Sequence, residues 1–165
     1  MGVSQADIEA LERQLGRAPR GVVEIAARDD AGEPLVVATR PRLEDGTPFP
    51  TTFYLTHPTV VKGCSTLEAA HLMDEMSQRI SEDDDLRSAY ERAHAAYIEA
   101  REKLGEVPEI AGVSAGGMPT RVKCLHALVG HSLAAGPGVN PIGDWALREL
   151  KSQGLWDVPA RFLGE

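Results

Sequence analysis

Apolar positions Ile8, Leu11 and Leu15 recur at helical intervals, behind a Ser4–Asp7 pair with the spacing of a capping box. They predict a helix over 4–16, closed by Gly16 or Gly21. The pattern then changes period. "VVEIAA" (22–27) and "PLVVAT" (34–39) are β-branched runs with the turn residues "RDDAGE" between them, which predicts a β-hairpin. "RPRLEDGTPFP" (40–50) is a proline-punctuated loop, and "TTFYLT" (51–56) reads as a third strand.

Helical periodicity returns after Pro58, which suits the first position of a short helix. Ser65 and Glu68 form a second capping box, and Ala69, Leu72, Met76 and Ile80 are the apolar stripe of the helix it opens. The acids of "SEDDD" (81–85) sit at the positive end of the next helix. That helix, 84–104, has Leu86, Tyr90, Ala93, Tyr97, Ala100 and Leu104 in alternating steps of four and three, with Arg87–Glu91 and Glu99–Lys103 as pairs on its outer side. A loop over 105–119 leads to a helix from about 119 to 134. The last helix runs from Asn140 or Pro141 to about 152, and Trp156, Phe162 and Leu163 dock the tail. The layout is α+β: a small antiparallel sheet, an N-terminal helix, and four or five helices after the sheet. One domain over 1–165 is expected, with 1–20 and 153–165 peripheral.

Composition narrows the function classes. The 165 residues are 42% hydrophobic but only 5% aromatic, so the core must be largely aliphatic. That length buries a core without disulfides or a structural metal. A net charge of −8 argues against nucleic acid and anionic membranes as partners. Cys64 and Cys124 are not a disulfide framework, and there is no CxxC zinc pattern. The N-terminus lacks an apolar signal core, Ala6 breaks the myristoylation pattern, and no apolar run reaches bilayer length. A soluble, cytoplasmic protein is the expectation.

The candidate chemistry gathers in "GVSAGGMPTRVKCLHALVGHSL" (112–133). Gly112, Gly116, Gly117 and Pro119 before a helix leave amide hydrogens free, with Arg121 and Lys123 in its first turns: a seat for phosphate or carboxylate. The spacing is neither a Walker loop nor GxGxxG. Cys124 and His126 look like a chelate, but residues two apart on a helix point about 200° apart, so one ion takes both only if the turn is unwound. Cys124 and His131 share a face yet lie about 10 Å apart along the axis. Near Lys123 and Arg121, Cys124 reads either as an activated nucleophile or as a small buried apolar residue. Glu68-x-x-His71 and Glu91-x-x-His94 repeat the Glu-x-x-His pairs of di-metal bundles, without the two further glutamates those need. His57, at a strand end, either handles protons or caps a helix. No GxSxG elbow is present.

The segments "PFPTTFYLTHP", "STLEAAHLMDEM", "YERAHAAYIEAR" and "LGEVPEIAGVSAGGMPTRVKCLHALVGHSLAAGPGVNPIGDWAL" resemble the bacterial domain of unknown function 501 family in its actinobacterial form, over about residues 20–150. Lys123–Ala127 followed by Asn140, Pro141 and Gly143 is the most specific part. The family pattern covers Glu68, Gly112, Gly116, Gly117, Lys123, Cys124, His126, Asn140 and Pro141, but not Cys64, nor reliably His71. Genes of such proteins often neighbour those for enolase, a septum-formation initiator and an exopolyphosphatase-type enzyme, which leans towards phosphate-containing ligands. The resemblance implies no reaction and no cofactor.

The expected function is therefore binding of a small anionic ligand. Gly116, Gly117, Arg121, Lys123 and Asn140 would hold it, His126 or His57 would move protons, and Cys124 would be nucleophile or wall. A homo-oligomeric interaction module built on the Leu86–Leu104 stripe or the aromatic tail is the alternative. A Glu/His metalloprotein, or one joining Cys124 to distant histidines, is the third.

Overall fold

The computed structural model describes residues 2–165; Met1, where the expected domain and its N-terminal segment begin, lies outside the described residues. The elements in order are α1 (Gln5–Leu15), β1 (Val22–Arg28), β2 (Pro34–Thr39), β3 (Phe53–Leu55), α2 (Pro58–Ala69), α3 (Leu72–Glu82), α4 (Asp84–Glu102), α5 (Leu125–Ala135) and α6 (Pro141–Ser152). Short 3-10 turns cover Pro108–Ile110 and Ala160–Leu163. The fold is α+β. The sheet is antiparallel in the order β1-β2-β3, with Val36 opposite Leu55 and Ala38 opposite Phe53.

All six residues of β2 are buried, so both faces of this central strand are covered. α1 and α5 both pack on it. β3 is shorter than the expected 51–56. Thr52 still accepts the Thr39 N–H, but its own amide turns back to the Pro50 carbonyl, ending the regular ladder. The capping box of α1 forms as read, with Ser4 and Asp7 bonding reciprocally. Asp83 caps α4 by accepting the Leu86 N–H at 3.0 Å, and Asp84 and Asp85 lie in its first turn, whereas Glu82 is the last residue of α3.

The expected capping box at Ser65 does not form. α2 runs straight through Ser65, and the chain breaks instead at His71, which is left-handed (φ 63°). This releases the Glu68 carboxylate from local capping. Arg87 also departs from expectation, turning to Asp84 and to the carbonyls of Ile80 and Ser81 rather than to Glu91. The stripe on α4 faces inward: Tyr90, Ala93 and Tyr97 are fully buried. In the tail, Phe162 is buried and the 3-10 turn packs on α6.

Two polar ties hold the long loop before α5. Tyr90 donates its hydroxyl to the Arg121 carbonyl at 2.8 Å, and the Ser77 hydroxyl accepts the Val122 N–H at 3.1 Å. Further back, buried Arg101 donates to the carbonyls of Pro50 (3.3 Å) and Ile110 (2.9 Å), tying α4 to the approach of β3 and to the first 3-10 turn. Arg101→Met removes the only side-chain donors these two bonds use. It is expected to cost about 2 kcal/mol, read as a lowered urea midpoint with unchanged slope.

Candidate functional site

The loop before α5 folds back on itself through two glycines. Gly116 (φ 67°) and Gly117 (φ 94°) are left-handed, and a Cβ on Gly117 would lie 2.7 Å from the Arg121 carbonyl oxygen. The Gly117 carbonyl accepts from the Thr120 and Arg121 amides, and the Gly116 carbonyl from those of Lys123 (2.7 Å) and Cys124 (3.4 Å). With Val122 bonded to Ser77, every amide from Thr120 to Cys124 is engaged, and the helix expected from 119 begins only at Leu125. The Leu125 amide is engaged as well, donating to Glu68 Oε2 at 2.8 Å. The amides of 120–125 therefore do not form the expected seat of free hydrogens; Gly116 and Gly117 shape the turn through their carbonyls and left-handed backbone.

The late start of α5 changes the geometry of the Cys-x-His pair. Cys124 precedes the helix in extended backbone (φ −144°, ψ 110°), while His126 is in the first turn. The opposed directions expected inside a helix do not apply, and both side chains reach Glu68 from the last turn of α2. One ligand-type atom each from Glu68, Cys124 and His126 lie within 4.8 Å of one another. His126 Nδ1 is 3.1 Å from Glu68 Oε2, and its Nε2 is 3.2 Å from both the Val61 carbonyl and the Ser65 hydroxyl. All three residues are half-buried.

Charge follows from this contact. Cys124 and the Glu68 carboxylate outweigh burial and hold His126 protonated up to about 9. Burial raises the Cys124 thiol, but His126 and the Ala127 amide more than offset it, leaving the thiol more acidic than an ordinary cysteine. Cys64 is its contrast: fully buried, with Glu68 and Cys124 as negative neighbours, it is driven far up and stays a neutral thiol.

Two hollows meet at Cys124. One, of about 490 Å³, lies between β3 and α2 and is lined by Tyr54, Thr56, Lys62, Cys124 and His126. The other, of about 560 Å³, lies over the glycine turn and is lined by Gly116, Gly117, Arg121, Lys123 and Cys124. Thr51, Cys124 and Ala127 belong to both. Arg121 and Lys123 are exposed, and neither has a salt-bridge partner among the described residues.

The remaining candidates lie elsewhere. His57 faces Asp29 Oδ2 at 3.2 Å and stands beside Trp156; it makes no side-chain cap to α2 and lines neither hollow. Asn140 is completely buried. It caps α6 by accepting the Gly143 N–H at 3.0 Å, and it faces His131 at 3.1 Å, so it has no surface to offer a ligand. The two Glu-x-x-His pairs do not assemble. Glu68 turns to α5, His71 is exposed at the helix break, and His94 bonds the Ser114 hydroxyl at 2.7 Å. The partnership of Glu68 with Cys124 escaped the sequence reading, because no local spacing links a residue in α2 to one in the loop that enters α5. The family pattern, which covers both, was the only available signal.

No curated protein and no solved structure matches this chain. No helix among the described residues is long and apolar enough to cross a membrane. Residues 25–148, about three quarters of the chain and all of Glu68, Arg121, Lys123, Cys124 and His126, match the profile described as protein of unknown function (DUF501), and the chain belongs to that family.

Proposed function

We propose that the protein binds a small anionic ligand, bearing phosphate or carboxylate, in the trough that crosses Cys124. The observation that carries this reading is the meeting of two hollows at one acidic thiol, with the unpaired cations Arg121 and Lys123 on one side and His126 on the other. The cations, not helix amides, supply the attraction. A net charge of −8 makes a local positive site selective, since anions are repelled from most of the remaining surface. Gly116 and Gly117 form the wall of the trough, and Cys124 is the group a bound ligand meets at its centre.

Alkylation of the native protein tests this without knowledge of the ligand. Iodoacetamide is neutral and reports the thiol alone; iodoacetate is an anion and reports the thiol and its field together. Two exposed cations along the approach are worth about 1 kcal/mol to a monoanion at low salt, or roughly a fivefold rate. The iodoacetate-to-iodoacetamide rate ratio at Cys124 is expected to exceed that of N-acetylcysteine by about this factor. It should fall towards the reference in the Arg121→Ala/Lys123→Ala double variant and in high salt. Cys64, being sealed, contributes no adduct, which Cys124→Ser verifies. A ratio indifferent to both cations and salt rejects the anion trough.

A further inference from the structure

We infer that Glu68, Cys124 and His126 form a binding site for one divalent cation of borderline softness, of which Zn²⁺ is the type. The inference goes beyond the anion trough and does not need it. Its basis is the convergence of a sulfur, an imidazole nitrogen and a carboxylate oxygen to within 4.8 Å of one another. Four-coordinate zinc with bonds of about 2.0–2.3 Å holds its ligands roughly 3.3–3.8 Å apart. Side-chain rotation alone covers the difference, and the Glu68–His126 pair is already at 3.1 Å.

The supports around the trio point the same way. A metal-bound histidine commonly donates its other ring nitrogen to a carbonyl, which fixes the tautomer and aims the free lone pair at the ion. His126 Nε2 is at hydrogen-bond distance from the Val61 carbonyl, so Nδ1 is the nitrogen aimed at the Glu68 oxygen. The carboxylate is oriented in turn by the Leu125 N–H at 2.8 Å. The extended backbone at Cys124 lets a Cys-x-His pair converge where helical backbone would splay it. Thiolate with imidazole discriminates against Mg²⁺ and Ca²⁺, which favour all-oxygen shells. Metal binding releases the His126 ring proton and any thiol proton, and the resulting thiolate, carboxylate and neutral imidazole balance a 2+ charge.

Three protein ligands leave a fourth position, as in zinc centres that act on a bound molecule. Cys124 and His126 both line the hollow beside β3, so that position opens to the trough rather than to the core. A water, or the anion drawn in by Arg121 and Lys123, is the chemical class that fits it.

Cobalt provides the test. Full-length protein stripped with a chelator and titrated with Co²⁺ alone is expected to take up one equivalent. It should show a thiolate-to-cobalt charge-transfer band and the visible bands of a four-coordinate ion, both displaced by Zn²⁺. Cys124→Ser should abolish the charge-transfer band. Glu68→Gln and His126→Asn should each weaken binding tenfold or more, with far-UV circular dichroism showing which variants keep the fold. Arg121→Ala/Lys123→Ala should leave the cobalt spectrum intact, which separates this site from the anion trough. Absence of a stoichiometric cobalt spectrum in the unmodified protein, or a charge-transfer band that survives Cys124→Ser, overturns the inference.

Discussion

Gly143→Ala is expected to destabilise the protein by about 3 kcal/mol, although alanine is the better helix former by about 1 kcal/mol. Gly143 lies in the first turn of α6, where α6 crosses α5 at backbone contact. A Cβ there would stand 2.2 Å from the Leu128 carbonyl oxygen and 2.2 Å from the Ser132 hydroxyl. The carbonyl cannot yield without moving α5, and α5 has no slack on its other side. There Gly130 meets β3, and a Cβ would lie 2.6 Å from the Phe53 carbonyl oxygen. The helix that carries His126 is thus clamped between sheet and α6 by one glycine at each contact. Gly63→Ala is the matched control. Its Cβ would meet the Leu150 Cδ2 at 2.7 Å, the end of a side chain that can rotate, and Leu155 Cβ at an ordinary 3.5 Å. A loss within about 1 kcal/mol is expected there. Urea midpoints of the two variants decide the point: equal losses would mean that α5 and α6 separate easily and the clamp is not rigid.

Gly143 also marks where sequence reading ended and structure began. The Asn-Pro-x-Gly run was visible, and Asn140 and Pro141 correctly announced a helix start, because capping and proline placement are local. That the glycine serves an interhelical crossing is a tertiary fact with no local trace. The same division runs through the chain. The hairpin, the acidic entry to α4 and the Ser4–Asp7 box follow from short-range rules, and they hold. Ser65 obeys the same rules on paper, yet sits mid-helix, its hydroxyl facing His126 Nε2. A capping pattern is a permission, and continuous packing of Val60, Cys64 and Leu67 into the core overrode it.

The start of α5 failed for a related reason. Pro119 and the glycines signal a helix entry, but Tyr90 and Ser77, 31 and 45 residues upstream of the groups they bind, hold the loop in a non-helical turn. This delay places Cys124 and His126 on one side. Helical geometry allows the two to share an ion only if the turn is unwound, and that condition is met here by the extended backbone at Cys124. The residue types at the site were legible, but their mutual placement depended on long-range contacts.

His131 supplies the second large effect, on acid stability. It is 2% exposed, stacked on Phe53 at 5.8 Å and edge-on to Tyr97 at 5.0 Å. Asn140 spends its side-chain oxygen on the Gly143 amide, so it turns its NH₂ group to His131 Nδ1. That nitrogen must accept, which requires the neutral ring, and burial pulls the pKa from 6.5 down to about 4. Between those values the unfolded chain binds a proton that the native protein refuses. Stability is therefore fully present above pH 6.5 and drains away as pH falls towards 4, by about 3 kcal/mol in total. His126, whose pKa is raised, acts with the opposite sign but in the separate window from 6.5 up to about 9, whereas carboxylates such as Asp7 drain stability at still lower pH, so the His131 contribution is isolated by difference. His131→Phe keeps the ring packing but cannot titrate. At neutral pH it is expected to be less stable by about 1–2 kcal/mol, since the Asn140 NH₂ group loses its ring-nitrogen acceptor and keeps the weaker Met118 Sδ. Its urea midpoint should nonetheless fall less steeply between pH 6.5 and 4, so that the two proteins converge or cross as acid is added. Parallel profiles would show that a charged His131 is tolerated in place, and that the wall between α5, β3 and α4 admits water.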